Sequence, residues 1–194
     1  MAYTFAGRKT SGGEIGMALF DRIKGIVFDP RDEWARIAAE PATVQSIYAR
    51  YVMILAAIGP VAILVRYMEL GVPWALRLAI AAYVIALIMT FVLAMAVDVL
   101  APSFGGQKDF VASLKLAAYS WTIVFLAGLA HLIGWLAQVL MWIAAAYALY
   151  TFFVGAPILR RCSADKAVPF TLAIALGAIA LYFVASFATG VRRF

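Results

Sequence analysis

Charge is what this chain most lacks. Asp, Glu, Lys and Arg make up 13% of its 194 residues, about half the share of an ordinary soluble domain. A soluble fold would have to bury a chain that is 66% hydrophobic, yet a domain of this size still leaves roughly 30% of its unfolded surface exposed. The solvent is therefore lipid. The single cysteine, Cys162, excludes an internal disulfide. The single histidine, His131, has no nearby Cys, Asp or Glu and makes no metal site. Gly-rich phosphate loops, a GxSxG elbow, HExxH and paired intramembrane aspartates are all missing, so no catalytic constellation, cofactor site or metal site is expected. The opening MAYTFAGRKTSGG has no apolar core of a signal peptide, and the first spanning helix is expected to serve as the insertion signal.

What the chain has in abundance is long apolar runs. A bilayer core takes about 20 apolar residues of helix, and five runs qualify: 48–67 (interrupted by Gly59-Pro60), 74–100, 112–130, 135–159 and 167–189. Tyr48, Tyr51, Tyr67, Trp74 and Trp135 fall near their ends, as interfacial aromatics do. Barrel strands would alternate apolar and polar residues, and these runs do not. The expected fold is an all-α membrane protein, a bundle of five transmembrane helices over 48–189 preceded by amphipathic helices over 14–47. Short tails are expected over 1–13 and 190–194.

The basic residues lie in the gaps between the runs. Arg8, Lys9, Arg22, Lys24, Arg31, Arg36, Arg50, Lys108, Lys115, Arg160, Arg161 and Lys166 fall on one side, twelve against the four of Arg66, Arg77, Arg192 and Arg193. Lys and Arg favour the cytoplasmic side, which predicts a cytoplasmic N-terminus and a periplasmic C-terminus in a bacterial inner membrane. Membrane topology accounts for the net charge of +6 better than nucleic acid, which is not an expected partner.

The stretch FDPRDEWARIAAEP, 28–41, is the most polar piece of the chain. Asp29 is placed to cap a helix beginning at Pro30, with Asp32 and Glu33 at its positive end and Pro41 at its stop. Trp34, Ile37 and Ala38 share one face, while Arg31, Asp32, Arg36 and Glu40 take the rest. Upstream, Ile15, Leu19, Ile23, Ile26 and Val27 form a similar stripe, with Asp21, Arg22 and Lys24 off it. Both segments are expected to lie on the cytoplasmic membrane surface or against the cytoplasmic ends of the bundle. Trp34, Ile37, Arg31 and Arg36 are the candidate interaction surface.

An ionisable residue at the bilayer centre would mark a functional site, and no run carries one. Asp98 comes closest, at the cytoplasmic interface, where Arg50 or Lys115 is its expected partner. Arg66, Glu69 and Arg77 read as snorkelled groups on the other side. Gln138, Ser120 and Thr122 are expected to bond across helices. Ala173 and Gly177 have the spacing of a close helix contact, Gly105-Gly106 reads as a turn, and Cys162 beside Arg160 and Arg161 is a candidate for a depressed thiol pKa.

Three stretches together carry a resemblance: PRDEWARIAAEPATVQSIYARYVMILAAIGPVA, APSFGGQKDFVASLKLAAYSWT and YALYTFFVGAPILRRCSADKAVPFT. Their most specific parts are Pro30, Trp34 and Ile37; the turn from Phe104 through Gly105 and Gly106 to Phe110; and the block from Leu149 and Tyr150 through Gly155 to Lys166 and Ala167. This chain resembles the bacterial branch of the YIP (Ypt-interacting protein) family over about 30–181. It departs where relatives tend to carry a proline after Tyr119-Ser120, having Trp121-Thr122-Ile123 instead, which puts a kink there in question. The resemblance implies five spanning helices, a cytoplasmic N-terminus and no catalytic activity; eukaryotic relatives bind Rab-type GTPases and shape or sort membranes. The expected function is a scaffold or accessory role through membrane lipids and other integral membrane proteins, and homo-oligomers are compatible with it. The competing reading, a small-molecule or ion transporter, would call for charges near midplane.

Overall fold

A computed structural model of the chain describes residues 12–160, 162 and 164–189. The tail expected over 190–194 and Arg161 lie outside the described residues, as does most of the tail expected over 1–13. Seven helical segments follow one another, and no strand occurs among the described residues. Two come first, α1 (Gly12–Phe28) and α2 (Pro30–Ala39). Four are long and apolar enough to cross a membrane: α3 (Val44–Leu70), α4 (Val72–Phe104), α5 (Phe110–Ile133) and α6 (Leu136–Arg160). The last, α7 (Ala164–Thr189), falls where the fifth run was expected.

The exposed side chains tell which solvent the bundle meets. Leu76, Ile80, Val84, Ile88, Phe91 and Met95 of α4 all face outward, a continuous apolar stripe that only lipid would accept. Charged groups gather instead in the interior, around α1 and α2, and at the α3–α4 connection, where Arg66, Glu69 and Arg77 are exposed. The central element is α5, buried on every side from Ala112 to Ala118. It packs against α3, α4 and α6, with α7 lying on α4 and α6.

Two spanning segments are interrupted, each for an identifiable reason. In α3 a π turn occupies Tyr48–Val52 and the helix pauses again at Ala57. Pro60 lacks an N–H and crowds the carbonyl four residues back, at Ala56. In α5 the break falls at Trp121, although no proline stands there. Thr122 supplies the cause: its hydroxyl bonds back to the Tyr119 carbonyl, which bends helices. The same hydroxyl meets the Tyr51 hydroxyl from the π turn at 2.6 Å, so the two interruptions are joined. Thr122 thus makes the cross-helix bond expected of it.

α3 and α5 also approach one another closely. A Cβ placed on Gly128 would stand 2.7 Å from the Gly59 Cα, so these helices touch backbone to backbone there. Ala173 and Gly177 do not play that part, because a Cβ on Gly177 would have nothing within 4 Å.

Candidate functional site

The site is built where α2 lies along α6. Pro30 occupies the first turn of α2 as expected, with its fixed φ suited to a helix start. Asp29 holds the N-cap position, but its backbone (φ −142°, ψ 66°) is off the usual cap geometry and its side chain makes no cap hydrogen bond. Trp34 and Ile37 do share a face, and that face is turned inward: they are 0% and 1% exposed. The expected partner- or headgroup-facing anchor is therefore internal. The reason lies on α6, where the missing side chain of Gly155 leaves a slot for the indole ring. A Cβ on Gly155 would stand 2.5 Å from the Trp34 ring. Inside the slot Trp34 Nε1 donates to the Thr151 carbonyl at 2.9 Å, and Tyr119 meets the ring edge-on at 6.4 Å between centroids. Arg31 and Arg36 stay exposed on the opposite side.

Beneath α2 runs a clasp of opposite charges. Arg22, expected off the apolar stripe of α1, bridges Glu33 and Glu40 and lies 5.7 Å from the centre of the Tyr119 ring. Burial alone would lower its pKa, but the hydrogen bond and charge of Glu40, with Glu33 and Tyr119 adding, raise it above the ordinary value. Lys115 Nζ donates to the Ile37 carbonyl at 2.7 Å and to the Glu40 carbonyl. These are carbonyls at the C-terminal end of α2, which lack intrahelical donors and carry the negative end of the helix dipole. Lys115 is thus the cap of α2.

Asp98 is paired, but with neither expected partner. Its Oδ1 lies 3.3 Å from Arg160, accepts from the Asp109 backbone at 2.9 Å and from the Ser113 hydroxyl at 3.1 Å. Ser113 and Lys115 are two positions apart, about 200° round the helix, so one faces Asp98 and the other faces α2. Arg50, carried outward by the π turn, is exposed and makes no ion pair among the described residues. Arg160, fully buried, also donates to the carbonyls of Asp109 and Gln107, so it pins the turn between α4 and α5. That turn is the expected one, with Gly105 at φ +81° and Gly106 packed against the Arg160 carbonyl.

The residues of the three motif stretches, far apart in sequence, therefore converge in space: Trp34 on Gly155, and Gly106 on Arg160. A family model, Yip1 domain, matches residues 24–187, from the last turns of α1 through nearly all of α7. The chain belongs to the Yip1 domain family. No curated protein and no solved structure matches it.

The remaining candidates find quieter places in this Yip1 domain. Cys162 is buried and its thiol contacts the Ala156 carbonyl at 3.3 Å. Burial pushes its pKa up, outweighing a backbone hydrogen bond and the lowering charge of Arg160, so Cys162 is a buried bystander and not a depressed thiol. His131 bonds to the Gly128 carbonyl one turn back, and no metal-binding cluster occurs among the described residues. Gln138 is exposed, and among the described residues it makes no bond across helices and the buried Ser120 hydroxyl has no partner. A polar cleft of about 310 Å³ opens between Ala38, Gln107, Asp109, Lys115, Leu159 and Arg160. Its two cations are balanced by the carboxylates of Asp98 and Asp109, so the Yip1 domain presents no net attraction for an anion there.

Proposed function

We propose that this protein is a non-catalytic scaffold or accessory factor of the bacterial inner membrane, working through contacts with other membrane proteins and lipids. The Yip1 domain is a membrane-trafficking family, and several apolar helices support residence in a membrane. In this reading α7 is the fifth span, the N-terminus is cytoplasmic and the C-terminus periplasmic, as the twelve-to-four division of basic residues favours.

The observation that carries the reading is the docking of α2. Trp34, Ile37 and Lys115 hold this helix rigidly on the bundle, and its opposite side presents Arg31, Asp32 and Arg36 outward. A charged face held in fixed orientation suits recognition, and it replaces Trp34 and Ile37 as the handle. Transport is the weaker reading because the inward-facing charges of Arg22, Glu33, Lys115, Asp98 and Arg160 are engaged in structural bonds. Purification in mild detergent tests the proposal: Arg31→Glu with Arg36→Glu is expected to leave the bundle folded and to strip off co-purifying membrane proteins. An unchanged set of companions would refute it. A periplasm-only reporter fused after Phe194 is expected to be active, and activity of a cytoplasm-only reporter would overturn the topology.

A further inference from the structure

The polar cleft between α2, α5 and α6 lies at the depth of lipid headgroups. Trp135, 82% exposed just ahead of α6, marks one interface as an aromatic anchor. From there α6 runs 25 residues to Arg160, about 37 Å of helix, whereas the hydrocarbon core is about 30 Å thick. The Arg160 end therefore stands in the polar layer, on the side that Lys108, Lys115 and Arg160 mark as cytoplasmic. Ile158, 37% exposed, also lines the cleft and carries the apolar outer face of α6 up to its rim. The cleft thus borders headgroups and acyl chains together, and its volume of about 310 Å³ suits a small group, at the low end for ligand pockets.

The charged groups around it hold structure, yet their bonding capacity is not used up. Lys115 Nζ has three N–H donors and spends two, on the carbonyls of Ile37 and Glu40. Arg160 spends both Nη groups, on the Asp98 carboxylate and the carbonyls of Asp109 and Gln107. Its Nε–H is left buried with no acceptor among the described residues, an arrangement native interiors rarely keep. Asp109 uses Oδ1 to cap the Ala112 N–H at 3.0 Å, and its other oxygen has no ion pair among the described residues. Two cationic donors and one carboxylate oxygen therefore remain on a single cleft.

We propose that this cleft holds the headgroup of an amine-bearing phospholipid of the cytoplasmic leaflet. The balance of charge that gives it no net pull on an anion is matched by a headgroup carrying both signs. The phosphate oxygens accept from Lys115 and from Arg160 Nε, and the primary ammonium donates to the free oxygen of Asp109. A quaternary ammonium has no N–H to give Asp109, and a glycerol headgroup brings no positive charge to it. Ile158 then meets the first stretch of the acyl chains. This rests on the reading of the protein as one that works through lipids, and names the lipid.

Lipid competition on the full-length protein in mild detergent tests the proposal, with bound lipid read by native mass spectrometry. Phosphatidylethanolamine, phosphatidylcholine and phosphatidylglycerol of one acyl composition are offered in equal amounts. The wild type is expected to hold the ethanolamine lipid at least about tenfold more than either other, the discrimination one charge-assisted hydrogen bond supplies. Asp109→Asn keeps a side chain of equal N-cap quality and leaves the cleft with one uncompensated positive charge, so its preference is expected to move to phosphatidylglycerol. Ala38→Trp, at an exposed position on the rim, is expected to abolish the preference by filling the cleft while the bundle melts as before. Wild type that holds the three lipids equally, or an ethanolamine preference that survives Ala38→Trp or folded Asp109→Asn, overturns the proposal. Glycerophosphoethanolamine, the same headgroup without chains, is expected to leave the lipid in place; displacement at equal concentration would overturn the lipid as occupant. If the three lipids are held equally while Arg31→Glu with Arg36→Glu still strips other proteins, the cleft proposal fails and the handle stands.

Discussion

Replacing Trp34 by alanine should destabilise the whole bundle, although Trp34 belongs to none of its spanning helices. The side chain is 0% exposed, fills the slot over Gly155 and bonds to the Thr151 carbonyl. Large-to-small changes of this kind cost about 3–5 kcal/mol, which for a chain of this length corresponds to roughly 6–20 °C in midpoint. Trp34→Phe keeps most of the packing and loses one hydrogen bond, about 0.5–1.5 kcal/mol. Gly155→Ala attacks the same contact from the other side, because its Cβ would stand 2.5 Å from the ring and 2.9 Å from Leu116 Cδ1; overpacking of this sort costs about 1–3 kcal/mol. In the Trp34→Ala background the Gly155→Ala change should cost less, because the ring it strikes is gone. The assay is built in: the single, buried Cys162 reacts with a fluorogenic maleimide as the bundle opens, so a thermal ramp reads unfolding directly. A Trp34→Ala protein that melts with the wild type, or strictly additive costs in the double variant, would refute the docking as described.

Asp98→Asn leaves the Arg160 charge buried without its partner and is expected to cost about 3 kcal/mol, the low end for such pairs, because Asp98 is 19% exposed; Arg50→Ala should change the midpoint by less than the equivalent of about 0.5 kcal/mol. Gly128→Ala drives a methyl into the Gly59 backbone and is expected to lower the detergent melting point by at least the equivalent of about 1–3 kcal/mol, whereas Gly177→Ala should be neutral or stabilising. In the folded protein the raised pKa of Cys162 means less thiolate at any given pH, so the pH at which labelling becomes fast should lie above that of a free thiol; a rate equal to free cysteine at neutral pH would contradict it.

The spanning helices were legible because a long apolar run in a chain this poor in charge has one inexpensive environment. The run 135–159 became Leu136–Arg160, and 74–100 became Val72–Phe104. Pro30 likewise announced the start of α2. What the sequence withheld was direction. Helical spacing puts Trp34 and Ile37 on one face, but says nothing of what that face meets, and the small residues that receive them lie more than 100 positions away. Asp98 and Lys115 were both visible as charges near helix ends; which way each pointed round its helix was not, so Arg160 was overlooked. The contact between Gly59 and Gly128 escaped notice because each helix contributes a single glycine, which leaves no repeat to read.

The bond between Trp34 and the Thr151 carbonyl spans 117 positions of chain, and this has a consequence for how the protein is made. At about 5–20 residues per second, the ribosome needs roughly 6–25 s to travel from the residue that docks to the residue that receives it. Throughout that interval the first helices exist without their slot, with the Trp34 ring lacking the Gly155 surface and the Thr151 carbonyl that will receive it. Completion of α6 is thus the event that lets the oldest part of the chain settle, and a nascent chain stalled before Gly155 would hold every spanning helix up to α5 and still have nowhere to put its beginning.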